Sequence, residues 1–257
     1  QEVWELEKEL LPNLIEMRMR GMRVDLDKTA KLRKEFIGEE NKILRTIKDM
    51  TGESVDIWAA RSVAKIYDKL GIEYPLTEKS QEPSFTSNWL ENSEHTISKL
   101  IRNAREINKF HSTFLDSIER YTHKGRIHSE IHQLKSEGGG TVSGRLSYSN
   151  MNLQQIPARN KEFGNKIRSL FLPEEGRQWG SFDYSQQEPR LVAHYAAAVD
   201  KGFTGAEEFI QAYQDEAADF HQLVADMAGI SRTAAKTINL GIFYGMGKNK
   251  LSKELGI

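Results

Sequence analysis

Asp183 opens the run Asp183-Tyr184-Ser185-Gln186-Gln187-Glu188-Pro189-Arg190, and 49 positions after it Arg232 opens a second run that carries Lys236, Leu240, Tyr244 and Gly245. A carboxylate flanked by apolar residues offers a hard oxygen to a cation such as Mg²⁺. At about 100° per residue in a helix, positions four apart drift slowly around the axis, so Arg232, Lys236, Leu240 and Tyr244 share one stripe. Two cations followed by an apolar and an aromatic side chain suit a polyphosphate at one end and a flat ring at the other, because phosphate takes charged donors and bases take stacking partners. The competing account is an amphipathic helix with a solvated cationic edge, and spacing alone leaves the two open.

The two runs resemble motif A (DYSQIELR) and motif B (RxxxKxxNFGxxYG) of the family A DNA polymerases. Ser143-Gly144-Arg145-Leu146-Ser147 and Asn152-Leu153-Gln154-Gln155-Ile156-Pro157 are similar to the TGRLSS and PNLQNIP pair that precedes motif A in that family. Arg126-Ile127-His128-Ser129-Glu130-Ile131-His132-Gln133 is similar to GRVHTSYHQ, and the Gly21-Met22-Arg23-Val24-Asp25 run adds to the match near the start. Order and spacing agree, and the resemblance spans nearly the whole chain. Three positions depart from the pattern: Gln187 stands for Ile, Pro189 for Leu, and Leu240 for Phe or Tyr.

The resemblance implies an α+β, mostly helical fold with the thumb, part of the palm and the start of the fingers of a right-hand polymerase domain. Residues 1–27 would be a first palm segment, 28–125 thumb, 126–200 palm with motif A, and 201–257 fingers with motif B. Asp183 and the carbonyl of Tyr184 would hold metal, with two Mg²⁺ expected in a complete enzyme. Asp183, Arg232 and Lys236 would carry catalysis, the cations stabilising charge as pyrophosphate leaves. Tyr184, Gln186, Glu188, His221, Leu240 and Tyr244 would join those cations around the incoming dNTP, Glu188 acting as a steric gate against a ribose 2′-hydroxyl. Arg145, Asn152, Gln154, Gln155, Tyr244 and Gly245 would meet primer-template DNA, where Arg and Gln can donate to minor-groove acceptors shared by all base pairs. The family's His-Asp-Glu triplet, which supplies a second carboxylate, does not occur in these 257 residues. One carboxylate cannot satisfy two hard cations. Two readings follow: part of a DNA polymerase completed by a longer or second polypeptide, or an inert primer-template and dNTP binding fragment.

At 257 residues, 38% hydrophobic, 28% charged and with only 6 Pro, the composition suits a helix-rich globular chain large enough for more than one subdomain. With no cysteine, disulfides and thiolate zinc sites are excluded. No run of about 18 apolar residues exists, so no membrane partner is expected, and the expected setting is the cytoplasm of a bacterium or phage-infected cell. The compact connection between Asp219 and Arg232 leans toward a viral source. Net charge is −1, yet residues 95–180 carry 14 Lys and Arg against 8 Asp and Glu, a local +6. Lys99, Arg102, Arg105 and Lys109 recur there at helical spacing and predict a basic edge for a phosphate backbone.

Apolar periodicity predicts helices over residues 3–20, 27–50, 56–70, 88–119 and 187–200, with Asp27 as a cap and Gly21, Gly52 and Gly71 as stops. A loop is predicted over 73–87. Partial alternation predicts a strand over 126–132 and a short strand over 179–183 that ends on Asp183, while Gly138, Gly139 and Gly140 read as a flexible link.

Overall fold

The structure, a computed structural model, describes residues 2–157, 160–198, 210–211 and 219–255. The chain divides into two compact units, Gln1–Trp179 and Gly180–Ile257.

The first unit is mainly helical. Helix α1 spans Glu2–Arg20 and stops at Gly21, whose φ of +65° turns the chain into strand β1, Met22–Val24. Helix α2, Leu26–Thr51, follows at once. Its cap is Asp25 and not Asp27: the Asp25 carboxylate accepts from the Lys28 backbone N–H at 2.8 Å, and Gly52 closes the other end. Helix α3, Ala60–Leu70, begins four residues later than the apolar period suggests, because the Asp56 carboxylate accepts from the N–H groups of Trp58 and Ala59 and holds a turn there. The predicted loop lies between α3 and helix α4, Ser87–Asn92.

The helical stretch expected over 88–119 is four pieces. After α4 the chain breaks, and helix α5, Thr96–Lys109, runs directly into a π-helical segment, Phe110–Leu115, and helix α6, Asp116–Tyr121. The π turn changes the helical phase and buries Phe110, His111, Phe114 and Leu115 together. Its His111 Nε2 lies 2.5 Å from Glu40 Oε2, and Glu40 Oε1 accepts from Asn108 at 3.0 Å, so the buried polar atoms have partners.

Two apolar clusters result. Phe36, Phe110, Phe114, Leu115, Ile118, Ile127, Ile167 and Leu170 form one; Ile47, Val63, Ile66, Tyr67, Phe85, Leu90, Ile97 and Ile101 form the other. Ile43 packs on both, so α2, about 39 Å long, is the spine that joins them. The Tyr67 hydroxyl, buried in the second cluster, is 2.6 Å from Ser98 Oγ.

Strands β2 (Thr122–His123) and β3 (Arg126–Ile127) form a hairpin through Lys124 and Gly125, both at positive φ as a primed two-residue turn requires. The four-stranded antiparallel sheet runs β2-β3-β1-β6, with β6 at Phe171–Leu172 after helix α7, Lys161–Arg168. The strand expected over 126–132 is split at His128 and Ser129: β3 belongs to this sheet, while β4, Glu130–His132, pairs with β5, Ser147–Ser149. Between β4 and β5 the glycine run is a closed turn and not a free link, since Ser136 and Gly139 bridge and the Ser136 N–H donates to Gly139 O at 2.8 Å.

In the second unit the described helices are α8 (Gln187–Ala198), α9 (Phe220–Ala228), α10 (Arg232–Phe243) and α11 (Lys248–Leu255). Residues 199–200 of the predicted fifth helix lie outside the described residues. Residues 179–183 are irregular, so the strand expected to end on Asp183 is absent. A strand needs an edge to bond to, and among the described residues none pairs with this segment; Phe182 stands 96% exposed.

Candidate functional site

Residues of both runs lie in the second unit. Asp183 is exposed on an irregular approach, followed by Tyr184, 80% exposed. The chain turns at Ser185 and Gln186, the latter at φ +52°, and α8 starts at Gln187. Pro189 is buried in the first turn of α8, where a missing N–H costs nothing, which accounts for Pro at this position. Glu188 stands one residue earlier, partly buried.

Helix α10 is capped by Ser231, whose hydroxyl accepts from the Ala234 N–H at 3.2 Å. Its buried face is Ala235, Ile238 and Asn239. Arg232 and Lys236 are exposed, Leu240 is partly covered, and Tyr244, at the C-cap, is 65% exposed. Arg232, Lys236 and Leu240 thus lie four apart along α10 with Tyr244 at its C-cap, and the Arg232 end of the row meets Asp219, the cap of α9. Gly245 follows at φ +80°. The Tyr244 hydroxyl donates to Glu188 Oε1, which brings the aromatic end of the stripe onto the first turn of α8.

His221 is buried rather than open to a ligand: it is 4% exposed and its Nδ1 lies 3.1 Å from the Asn239 side-chain nitrogen. Burial holds its imidazole below the ordinary histidine range, and the Arg232 and Lys236 cations push the same way against the opposing pull of Asp219. Asp219 is the residue that sequence reasoning passed over. Its Oδ1 accepts from the N–H groups of His221 and Gln222 at 3.0 and 3.1 Å, and its Oδ2 accepts from Arg232 Nε at 2.7 Å. The Arg232 hydrogen bond holds the Asp219 carboxyl below the usual carboxylate range, overcoming partial burial. The available signal was an Asp two residues before a histidine at a helix start, a capping pattern.

In the first unit Thr141 donates to the Arg145 carbonyl at 2.7 Å. Asn152 caps the short 3₁₀ turn Leu153–Gln155 by accepting from the Gln154 N–H, while Gln154 donates its side chain to Leu146 O at 3.0 Å and Gln155 is exposed. The polar residues of the two short motifs are thus tied to each other in one loop system. Of the basic edge expected along α5, Arg102 and Arg105 are engaged within the protein. Arg105 donates to Ile57 O and Phe85 O, both at 2.6 Å, with its guanidinium 5.4 Å from the Trp58 ring centroid, and Arg102 pairs with Glu91. Only Lys99 and Lys109 of that set stand exposed without a recorded ion pair among the described residues.

Asp183 and the Tyr184 carbonyl supply two adjacent oxygens, and among the described residues no group of three His, Cys, Asp or Glu side chains comes together. That donor set does not fit two Mg²⁺ ions, each of which seeks several oxygens. No described helix is long and apolar enough to cross a membrane.

The model of DNA polymerase family A matches residues 26–257. A DNA-directed DNA polymerase of Pseudomonas phage M6 is 37% identical over 272 residues, covering 99% of this chain and 40% of the relative. A thermostable DNA polymerase I of Thermus filiformis is 34% identical, covering 98% of this chain and 30% of the relative. The POL domain of Pol1 from M. smegmatis, solved in complex with DNA primer-template and dNTP, superposes with a TM-score of 0.75 at 25% identity, covering 98% of this chain and 44% of that one. The chain spans less than half the length of these relatives, and it belongs to DNA polymerase family A.

Proposed function

We propose that this chain supplies the primer-template and incoming-nucleotide binding side of template-directed DNA synthesis. In that reaction a primer 3′-hydroxyl attacks the α-phosphate of a dNTP and pyrophosphate leaves. The observation that carries the reading is the α10 stripe, with two exposed cations, Arg232 and Lys236, at one end and Tyr244 hydrogen-bonded to Glu188 at the other. The cations would take the triphosphate, Glu188 would exclude a ribose 2′-hydroxyl, and Tyr244 and Gly245 would lie at the templating base. Leu240, lacking the ring usual at its position, would meet the sugar by apolar contact alone. Gln186 and Tyr184 would line the approach, while buried His221 acts on the nucleotide through the α9–α10 pair it holds together.

Arg145, Asn152, Gln154 and Gln155 would meet the primer-template, within a division into palm (1–27 and 126–200), thumb (28–125) and fingers (201–257). Asp183 and the Tyr184 carbonyl would contribute to a Mg²⁺ site whose remaining oxygens come from elsewhere, on the same or a second polypeptide. The second reading, a binding fragment without activity of its own, is favoured by that short donor set.

Fluorescence anisotropy of labelled primer-template, followed by primer extension with dNTPs and Mg²⁺, tests both. Binding without extension is expected for these residues alone. Extension abolished by Asp183→Ala would refute the inert reading, and absence of primer-template binding would refute the proposed function itself.

A further inference from the structure

Asp219 and Arg232 form a fixed pair at the mouth of the α9–α10 hairpin. The Asp219 carboxylate divides its two oxygens: Oδ1 is taken by the His221 and Gln222 N–H groups at 3.0 and 3.1 Å, and Oδ2 faces Arg232. Arg232 Nε donates to that oxygen at 2.7 Å, and Arg232 Nη2 also lies 2.7 Å from it. A guanidinium has two edges that can meet an anion, the side edge of Nε with Nη2 and the end edge of Nη1 with Nη2. Asp219 occupies the side edge. Among the described residues nothing is bonded to Nη1, so the end edge is the one left to a ligand.

Arg232 would otherwise be a mobile cation. It is the first residue of α10, half exposed, on a side chain with several rotatable bonds. Its carboxylate partner is itself rigid, because two backbone donors of α9 hold it, and α9 is locked to α10 by the His221–Asn239 hydrogen bond between buried side chains. A second cation, Lys236, stands one turn on along the same stripe and has no such partner among the described residues.

We propose that Asp219 is a positioning residue for nucleotide binding, which fixes Arg232 so that its end edge meets the triphosphate while its side edge stays engaged. The inference rests on the reading of Arg232 as a phosphate ligand. A carboxylate near a phosphate site would be expected to repel the ligand; here its charge is spent on two backbone donors and one guanidinium, and what it supplies is orientation. The entropy of ordering Arg232 is met by the fold before the nucleotide arrives.

The test is a double-mutant cycle on the full 257-residue chain, with the affinity for dTTP measured by isothermal titration calorimetry. The variants are Asp219→Asn, Arg232→Gln and their combination. Asn caps a helix as well as Asp does, so the α9 start survives while the charge is lost; Asp219→Ser, a second capping replacement, guards against a folding artefact specific to Asn. Arg232→Gln is expected to weaken dTTP roughly tenfold, Asp219→Asn and Asp219→Ser roughly threefold to fivefold, and the double variant no more than Arg232→Gln alone. That non-additivity separates positioning through Arg232 from a general loosening of the hairpin, which would add to the Arg232 loss. Unchanged or tighter binding by both Asp219 variants, with Arg232→Gln still weakened, would overturn the proposal and leave the phosphate role of Arg232 standing. Unchanged binding by Arg232→Gln would overturn that role, and the proposal with it.

Discussion

The Tyr244 hydroxyl donates to the Glu188 carboxylate, joining the C-terminal end of α10 to the first turn of α8. The two residues belong to different sequence motifs 56 positions apart, and their contact sets the spacing between the aromatic end of the stripe and the acid expected to exclude a 2′-hydroxyl.

Glu188→Ala is accordingly expected to lower the ratio of dTTP to UTP affinity by about tenfold, the scale of one lost polar or steric discrimination. Tyr244→Phe keeps the ring but removes its hydrogen bond to the Glu188 carboxylate, and a smaller fall in the same ratio is expected. Competition binding of the two nucleotides measures both. An unchanged ratio in Glu188→Ala would remove Glu188 from sugar selection.

His221 predicts a pH dependence of stability. Its folded-state pKa is depressed below the ordinary histidine value by burial, so the unfolded chain takes up a proton first as pH falls. Its contribution to stability is therefore present above the unfolded value of about 6.5 and declines as pH drops below it. Thermal melts at pH 7 and pH 5 should show a loss in the native chain that shrinks in His221→Gln. An identical loss in both would place the effect elsewhere.

Arg105→Ala separates a structural from a DNA-binding role. Removing the guanidinium leaves the Ile57 and Phe85 carbonyls without their donor, at about 1 to 3 kcal/mol. Lysine cannot serve both acceptors with a planar fork, so Arg105→Lys should recover little. Chemical denaturation should report the loss, while the salt dependence of primer-template binding stays as in the native chain. A reduced salt slope with unchanged stability would place Arg105 in a DNA-binding edge instead.

Gly21→Ala adds a Cβ only 2.7 Å from the His128 ring at a residue whose φ is +65°. Gly176, at φ +69°, has open space where its Cβ would be. Both substitutions carry the left-handed backbone cost of about 1 to 2 kcal/mol, and only Gly21→Ala should also displace His128 from its 2.8 Å contact with Arg18 O. Equal destabilisation of the two variants would show that the His128 packing contributes nothing.

Much of this was readable from residue order because helix stripes and glycine stops are local. The ends of α1, the C-terminal end of α2, the loop before α4 and the four-apart row along α10 follow from signals within one element. What was missed depended on residues distant in sequence or on competition between nearby caps. Asp25 displaced Asp27 because its carboxylate reaches the Lys28 N–H. The π turn at Phe110–Leu115 is set by which residues the two cores bury, and no local propensity announces it. Arg105 fitted a helical row of cations, yet tertiary packing placed it over Trp58 and between two carbonyls. The strand expected before Asp183 had the right residue types and no partner edge among the described residues. In the site, motif matching located Arg232, Glu188 and Tyr244, but the Tyr244–Glu188 contact and the pairing of Arg232 with Asp219 emerged only in three dimensions.

The most direct test is whether the chain reads a template when it takes up a nucleotide. With a chain-terminated primer-template of each templating base, equilibrium binding of the four dNTPs should favour the complementary one, by roughly tenfold, and this preference should vanish with the overall affinity in Arg232→Gln/Lys236→Gln. Equal binding of all four dNTPs whatever the templating base, or a preference untouched by removing both cations, would contradict the assignment of α10 to the incoming nucleotide.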